Sequence, residues 1–229
     1  MARNKRKFRE PRRSPICYVI GEGATEAFYF SALGKALRDG FSSGSPRPAI
    51  KAVDAGGKGS EGVAETAAKY VEKHGKPHDK LQYFAVFDTE AAEPKYQTPL
   101  KKALALCKKH GIHAIVSNPC FEVWFHCHCP EFRPRSFVNQ KACDDALDIV
   151  WRKSNFCRDG YKKADRKLYE QCAERHGEAI DVARSLRETH HKKIVRTADA
   201  NAATDVYRLI EFLKDPKKSK FTLYDASKD

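Results

Sequence analysis

The chain has 229 residues, 41% of them hydrophobic, and its 43 lysines and arginines outnumber 30 acidic residues to give a net charge of +13. This length suits one α/β domain with a helical extension, or two small domains. The charge predicts attraction to polyanions, of which nucleic acid is the commonest. No apolar run approaches the roughly 20 residues of a membrane span, and the basic N-terminus lacks the apolar segment of a signal peptide, so we expect no membrane contact and a cytoplasmic location.

The spacing of cysteine and histidine favours neither a disulfide framework nor a zinc site. The eight cysteines are scattered among predicted helices and strands, and in a cytosolic chain such cysteines are usually reduced core residues. Residues 126–129 read His-Cys-His-Cys. Zinc needs ligands that converge, whereas four neighbours on a helix point in different directions.

Residues 1–14 form a predicted basic arm that is disordered when free. Its only acidic residue is Glu10, among seven cations: Arg3, Lys5, Arg6, Lys7, Arg9, Arg12 and Arg13. Such an arm could lie along a phosphate backbone, with Arg6, Arg12 and Arg13 as candidate nucleic-acid contacts. The alternative is a solubilising tail.

Residues 16–26 are the first candidate functional stretch. The apolar, β-branched run between Pro15 and Gly21 predicts a buried strand, and residues 24–38 predict a helix. Glu22 therefore lies between two glycines at the carboxyl end of a strand, where ligands bind in open α/β sheets. Flanking glycines leave the backbone free to approach a ligand. The alternative is a turn with a solvated acid.

Residues 49–53 predict a second strand. The glycine-rich segment that follows lacks the G-x-x-x-x-G-K-[ST] order of a phosphate-binding loop, so we interpret it as a flexible turn. Lys58 is a candidate phosphate contact in this turn. Ser60 is a candidate cap for a helix over 61–74.

Residues 81–87 predict a third buried strand that runs directly into Asp88-Thr89-Glu90. On an extended backbone Asp88 and Glu90 would point to the same side. A helix from Thr98 or Pro99 to His110 and a fourth strand over 112–116 follow. The resulting β-α-β-α-β-α-β order predicts a parallel sheet with right-handed crossovers.

The segment after the fourth strand, residues 117–125, predicts a short apolar helix. Ser117 or Asn118 could cap it, and Pro119 suits its first turn. Glu122 would then lie beside the carboxyl edge of the sheet. Its alternative role is that of a capping carboxylate.

From residue 130 the chain changes character. A connector over 130–138 precedes predicted helices at 139–153, 163–175, 177–189 and 201–214. We therefore divide the chain into the basic arm, an α/β core at 15–129, a helical subdomain at 130–215 and a Lys-rich tail at 216–229. Tyr161, Lys162 and Lys163 form a basic turn that suits phosphate contact and base stacking.

The predicted acidic residues should meet at one edge of the sheet. Parallel strands bring Glu22, Asp88 and Glu90 together there, and Glu26 and Glu122 lie within reach. Carboxylates held together repel each other, and Mg²⁺ or Mn²⁺ prefers such oxygen ligands. We expect the carboxylates to converge to within about 4–6 Å around a metal ion. A basic protein with an acidic metal site suits phosphodiester hydrolysis, in which nearby lysines offset developing charge.

These motifs resemble a known family. A strand with Gly-Glu-Gly-x-Thr-Glu followed by a strand with Asp-x-(Asp/Glu) resembles the Toprim domain of topoisomerases, primases and OLD-type nucleases. Together with the basic arm, five ordered blocks resemble the RloB-like family more specifically. They are Gly21-Glu22-Gly23-Ala24-Thr25-Glu26, Phe87-Asp88-Thr89-Glu90, Ser117-Asn118-Pro119-Cys120-Phe121-Glu122-Val123-Trp124, Tyr161-Lys162-Lys163 and Thr204-Asp205-Val206-Tyr207.

The resemblance implies a Toprim-like fold and a metal-dependent nuclease of antiphage defence, acting by abortive infection beside an AAA/ABC-type ATPase. It places the Toprim glutamate at Glu22 and the Asp-x-Asp acids at Asp88 and Glu90. The chain departs from the pattern in two ways. Glu90 replaces an aspartate, and the usual Asp-Arg-Asp-Glu run is Asp88-Thr89-Glu90-Ala91.

We therefore predict an α/β, Toprim-like parallel sheet with a C-terminal helical extension and a Mg²⁺- or Mn²⁺-dependent endonuclease activity. The predicted metal ligands are Glu22, Glu26, Asp88 and Glu90, and the predicted catalytic residues are Glu22, Asp88, Glu90, Glu122 and Lys163. The nucleic-acid contacts would be Arg6, Arg12, Arg13, Lys58, Tyr161 and Lys162. RNA, including tRNA, and DNA are both candidate substrates, and self-association is left open. The alternative is a non-catalytic nucleic-acid-binding subunit of an ATPase complex.

Overall fold

The computed structural model describes residues 14–40, 47–90, 95, 97–130, 132, 136–153, 159–189, 202–216 and 221. Arg6, Arg12 and Arg13 lie outside the described residues, together with nearly all of the predicted arm and most of the Lys-rich tail. Among the helices of the described ranges, none is both long enough and apolar enough to cross a membrane.

The described residues form a mixed five-stranded sheet, which confirms the predicted α/β class. The strands, in chain order, are β1 (Ile16–Gly21), β2 (Ala49–Asp54), β3 (Leu81–Asp88), β4 (His113–Asn118) and β5 (Ala203–Thr204). Their order across the sheet is β2-β1-β3-β4-β5. The first four strands are parallel, as predicted, and β5 is antiparallel to β4.

Helices cover the sheet and extend beyond it. The helices that connect the parallel strands are α1 (Ala24–Asp39), α2 (Gly59–His74) and α3 (Gln97–His110). The later helices are α4 (Glu122–His126), α5 (Gln140–Lys153), α6 (Leu168–Cys172), α7 (His176–Thr189) and α8 (Val206–Lys214), with a 3-10 turn at Ala173–Arg175. The predicted helix over 163–175 thus begins only at Leu168, because the residues before it form a loop.

Alternate side chains of the central strands pack into two apolar layers, one on each face of the sheet. In β3, Phe84 and Val86 face one layer, whereas Tyr83 and Phe87 face the other, beneath α2 and α3. A strand buried on both faces is typical of a parallel sheet between helices. The first layer also contains Trp124 and many side chains of the C-terminal helices. The core therefore runs continuously across position 130, where we placed a subdomain boundary.

The buried cysteines belong to this core. All seven described cysteines are buried and free of disulfide bonds. The His-Cys-His-Cys tract is buried too, and its side chains contact nearby backbone: His126 Nε2 lies 3.0 Å from the Cys143 carbonyl, and His128 Nδ1 lies 2.9 Å from the Trp124 carbonyl. These residues pack the C-terminal helices against α4.

Two predictions for the end of β4 and the start of the last helix are wrong. Ser117 and Asn118 are the last residues of β4 rather than helix caps, and Ala203 and Thr204 form β5 rather than a helix. The Ser117 and Thr204 hydroxyls lie 2.7 Å apart. Pairing with β5 satisfies backbone groups that β4 would otherwise leave open at its edge.

Asp205 fastens β5 and α8 to α7. Its side chain is 1% exposed and lies 3.0 Å from Arg187 Nε and 3.7 Å from Arg208 Nη1. Its N–H also donates to the Val116 carbonyl at 2.9 Å. Removal of one partner from a buried ion pair leaves an uncompensated charge.

We expect Asp205→Ala to lower the free energy of unfolding by about 3 kcal/mol, because Arg187 and Arg208 lose their shared anion. Urea denaturation followed by circular dichroism measures this change. The control is Asp181→Ala, whose side chain is 76% exposed beside Arg184 and should cost at most about 1 kcal/mol. Equal losses in the two variants would contradict the assigned role of Asp205.

Candidate active site

The turn between β1 and α1 holds Glu22 at the carboxyl edge of the sheet. The Ala55 N–H donates to the Gly21 carbonyl at 3.0 Å, and the Gly57 N–H donates to the Glu22 carbonyl at 2.8 Å. A Cβ atom at Gly21 would lie 2.4 Å from the Glu26 Cβ. Glycine is therefore required for α1 to approach the end of β1 this closely.

Glu26 is buried in the first turn of α1. Its Oε2 accepts a hydrogen bond of 3.2 Å from the Gly23 N–H, so it helps to cap the helix. Burial, together with the charges of Glu122 and Glu22, raises the pKa of Glu26 to about 8, although backbone hydrogen bonds partly oppose the shift. Glu26 is thus both a capping residue and a member of the acidic group.

Asp88, the last residue of β3, is buried at the same edge. Burial raises its pKa well above the ordinary value, and Glu26, Glu22 and Glu122 add to the shift. Its Oδ1 is buried without a hydrogen-bond partner among the described residues. A buried carboxylate oxygen without a donor is costly, which favours a cation at this position.

The backbone conformation of Glu90 differs from the extended one that we predicted. Its φ is 44°, so the backbone is not extended, and its N–H donates to the Pro119 carbonyl at 3.0 Å. Asp88 and Glu90 therefore do not lie on one extended backbone, contrary to our prediction. Burial and then the Glu90 charge nevertheless raise the pKa of Glu22, against a hydrogen bond from the Asp88 backbone.

Glu122 begins α4 and is 3% exposed. Its Oε1 accepts a hydrogen bond of 2.8 Å from the Tyr161 hydroxyl and lies 3.3 Å from Lys163 Nζ. Its Oε2 is buried with no hydrogen-bond partner among the described residues. The carboxylate therefore faces Tyr161 and Lys163, and α4 has no side-chain cap, which disfavours the capping alternative.

Lys163 bridges Glu122 to an acid that we did not predict. Its Nζ lies 3.2 Å from Asp144 Oδ2 on α5. Desolvation lowers the pKa of Lys163, but the charges of Glu122 and Asp144 outweigh it and leave the pKa raised. Burial and the Glu122 charge raise the pKa of Asp144 to about 6. Asp144 had no motif around it, and only the packing of α5 near α4 brings it to the site.

Tyr161 is partly buried and packs against the core, which disfavours the base-stacking role that we predicted. Its ring packs edge-on against Trp151, at 5.5 Å between centroids, and at a tilted angle against Phe125, at 5.7 Å. The hydroxyl is directed at Glu122. We therefore reassign Tyr161 from nucleic-acid stacking to the positioning of Glu122.

The two remaining predicted phosphate contacts are exposed. Lys58 occupies the N-cap position of α2, after β2 on the same edge of the sheet as Glu22. Lys162 is 62% exposed and lies 3.8 Å from Asp159 Oδ2. Neither lysine joins the acidic group, so both are free to serve as surface contacts for a polyanion.

Comparison with protein-family models assigns the chain to a family. The model of the RloB-like protein family matches residues 17–213, most of the chain. The chain belongs to the RloB-like family. No curated protein and no solved structure matches it. In this RloB-like protein the matched span contains Glu22, Glu26, Asp88, Glu90, Glu122 and Lys163.

The acidic group of the RloB-like protein fits a divalent cation chemically. Among the described residues, no lysine or arginine lies within 4.0 Å of a carboxylate oxygen of Glu22, Glu26, Asp88 or Glu90. The unpaired Asp88 oxygen adds a donor of the type that Mg²⁺ and Mn²⁺ prefer. The raised pKa values mean that a cation would displace protons on binding.

The tightest ligand set differs from the predicted one. In the described part of the chain, the only three candidate ligand atoms that all lie within 4.8 Å of one another come from Cys120, Glu122 and Asp144. The carboxylates of Glu22, Asp88 and Glu90 share the edge and interact electrostatically, but do not meet this distance. Cys120 and Asp144 are thus the members of the site that sequence reasoning missed.

We expect the stability of the Glu26→Gln variant, relative to that of wild type, to increase as pH rises. The folded pKa near 8 lies above the unfolded value near 4.5, so the folded protein keeps a proton that the unfolded chain has lost. Stability from this group therefore falls as pH rises from about 4.5 to 8. Glutamine keeps the cap but stays neutral. In metal-free buffer, the stability of Glu26→Gln relative to wild type should increase between pH 5 and pH 8.5 by on the order of 3 kcal/mol.

Thermal melts at the two pH values measure this difference. The matched control is Glu65→Gln, an exposed acid on α2, whose difference from wild type should stay constant. A constant difference for Glu26→Gln as well would mean that Glu26 is ionised in the folded protein at neutral pH.

Proposed function

We propose that this RloB-like protein is a metal-dependent nuclease of the Toprim type that hydrolyses phosphodiester bonds in nucleic acid. The observation that supports the proposal is the mutually repelling group of Glu22 with the buried Glu26 and Asp88, with an unpaired Asp88 oxygen, at the carboxyl edge of a mostly parallel sheet. Ligand sites in open α/β sheets lie at this edge.

Glu22, Asp88 and Glu90 would hold Mg²⁺ or Mn²⁺, with Glu26 behind them. When bound, the cation lowers the pKa of an attacking water and polarises the scissile phosphate. The protein's own contribution is to hold these carboxylates at one edge of the sheet, with Glu26 and Asp88 buried, so that their repulsion favours the cation. Glu26, held by the Gly23 N–H, also fixes the start of α1 behind Glu22.

Lys163 would supply positive charge on the phosphate side. Its ammonium is held by Glu122 and Asp144 at 3.3 and 3.2 Å, and 45% of its side chain is exposed. The positive charge of Lys163 partly offsets the rise in the pKa values of Glu22 and Asp88. Lys163 therefore lies close enough to act on a group bound beside these two acids. A cation fixed before the reaction stabilises developing negative charge without reorganisation.

The wider surface would bind the substrate. The net charge of +13 favours a polyanion, and Lys58 and Lys162 offer exposed cations. We include Arg6, Arg12 and Arg13 as contacts outside the described residues. RNA, tRNA in particular, and DNA both fit this chemistry. The family resemblance extends the proposal to antiphage defence in the cytoplasm, with an AAA/ABC-type ATPase as partner.

Cleavage assays test the activity directly. Purified protein should cleave members of a DNA and tRNA panel with Mg²⁺ or Mn²⁺ and lose the activity in EDTA. Glu22→Gln and Asp88→Asn should each lower the cleavage rate by on the order of 100-fold or more, because each removes a charged metal ligand. Glu65→Gln is the matched control and should cleave like wild type.

Circular dichroism should show that the variants remain folded. Wild-type activity in Glu22→Gln, or cleavage that survives EDTA, would contradict the assignment of the site.

The second candidate function is a non-catalytic nucleic-acid-binding subunit of an ATPase complex. The observation that favours it is the spacing of Glu22, Asp88 and Glu90, which do not form a ligand set within 4.8 Å. This function predicts salt-sensitive binding that persists in EDTA, with no cleavage in any metal. Filter binding at several salt concentrations, run beside the cleavage assay, distinguishes the two functions.

A further inference from the structure

The side chain of Lys163 lies against a ready-made set of cation ligands. Atoms of Cys120, Glu122 and Asp144 all lie within 4.8 Å of one another. Lys163 Nζ is 3.3 Å from Glu122 Oε1 and 3.2 Å from Asp144 Oδ2. Two carboxylates and a thiol at such distances would suit a metal ion, but here an ammonium contacts both carboxylates.

A second observation also indicates a cation position. Glu122 is 3% exposed, yet its Oε2 has no hydrogen-bond partner among the described residues, although Tyr161 and Lys163 contact the other oxygen. Asp144 Oδ1 is likewise buried without a partner in the described part of the chain. The position therefore offers more acceptors than its lysine satisfies.

The loop that carries Lys163 is fastened on both sides of it. The Tyr161 N–H donates to Asp148 Oδ1 at 3.0 Å, and the Ala164 N–H donates to Thr25 Oγ1 at 3.0 Å. Ala164 adopts a φ of 56°, which a residue with a Cβ atom rarely does. These contacts hold the backbone on both sides of Lys163, and the ion pairs with Glu122 and Asp144 hold its ammonium.

The acids on the other side of the site have no such partner. Glu22, Glu26, Asp88 and Glu90 have no lysine or arginine within 4.0 Å among the described residues. Glu122 and Asp144 are thus paired with the Lys163 ammonium, whereas the other four acids have no such cation beside them in the described part of the chain. This asymmetry bears on the number of metal ions that the protein takes up.

We propose that Lys163 permanently occupies the second cation position of the site, so that the protein binds one divalent ion and not two. The ion would bind at Glu22, Asp88 and Glu90, and Lys163 pairs with Glu122 and Asp144, two of the three residues that a second ion would use beside Cys120. The first position rests on the proposed function, whereas the second rests on the contacts of Lys163.

Metal counting tests this proposal without reference to cleavage. Equilibrium dialysis with Mn²⁺ should give one ion per chain for wild type and two for Lys163→Met, which keeps most of the unbranched side chain but removes the charged ammonium. The matched control is Lys162→Met, the exposed neighbour, which should bind one ion. Lys163→Gln provides a second uncharged variant if Lys163→Met does not fold, as judged by circular dichroism.

A Co²⁺ titration locates the additional ion. A thiolate-to-Co²⁺ charge-transfer band in the near ultraviolet should appear in Lys163→Met and be absent from wild type. It should also be absent from the Lys163→Met/Cys120→Ser double variant, because the band requires the Cys120 sulfur.

The outcomes separate this inference from the proposed function. Two Mn²⁺ ions in wild type, or no gain of an ion in Lys163→Met, would overturn the inference. A gained ion without the thiolate band would overturn the assignment of its position to Cys120. One ion in wild type, a second in Lys163→Met and no cleavage by wild type would support the inference while refuting the nuclease. No ion in wild type but a thiolate-bound ion in Lys163→Met would support the Lys163 position and refute the site at Glu22.

Discussion

Repulsion among buried carboxylates is the constraint on which the site depends. Glu26 and Asp88 are buried and have raised pKa values because water is excluded and other acids lie close by. Such a group is stable only if its members hold protons, pair with a cation or accept hydrogen bonds. Gly23 supplies one hydrogen bond, Lys163 supplies one charge, and Asp88 Oδ1 still has no partner. The shortage of positive charge is the physical argument for a metal ion.

The rest of the fold maintains this unfavourable arrangement. Parallel pairing brings the ends of β1 and β3 to one edge, and Gly21 lets the first turn of α1 approach that edge. The C-terminal helices contribute as well, because Trp151 on α5 packs against Tyr161 and thereby positions the loop of Lys163. The helical region is therefore part of the site. It shares a hydrophobic core with the sheet, and the burial of that core offsets the unfavourable free energy of the buried acids.

Much of the α/β arrangement could be predicted because its signals are local. The apolar runs of β1 and β3, with glycine or acids at their ends, specify strands, and their alternation with helices specifies parallel pairing. The errors arose where distant contacts overrode local patterns. Thr204 lies in a helix-like segment but pairs with Ser117, and Tyr161 lies in a basic turn but packs into the core. Glu90 follows a strand, but a backbone turn takes it out of the extended line.

The sequence by itself determined which acids follow the parallel strands, and with them the edge of the sheet where Glu22 and Asp88 meet. This follows because strand direction and side-chain alternation are properties of neighbouring residues. Only the tertiary structure decided that Asp144 and Cys120 join the site and that Lys163 lies between Glu122 and Asp144. These residues come from segments up to 43 positions apart (120 to 163), and their meeting depends on how α5 and the Lys163 loop pack against α4, which no local pattern encodes.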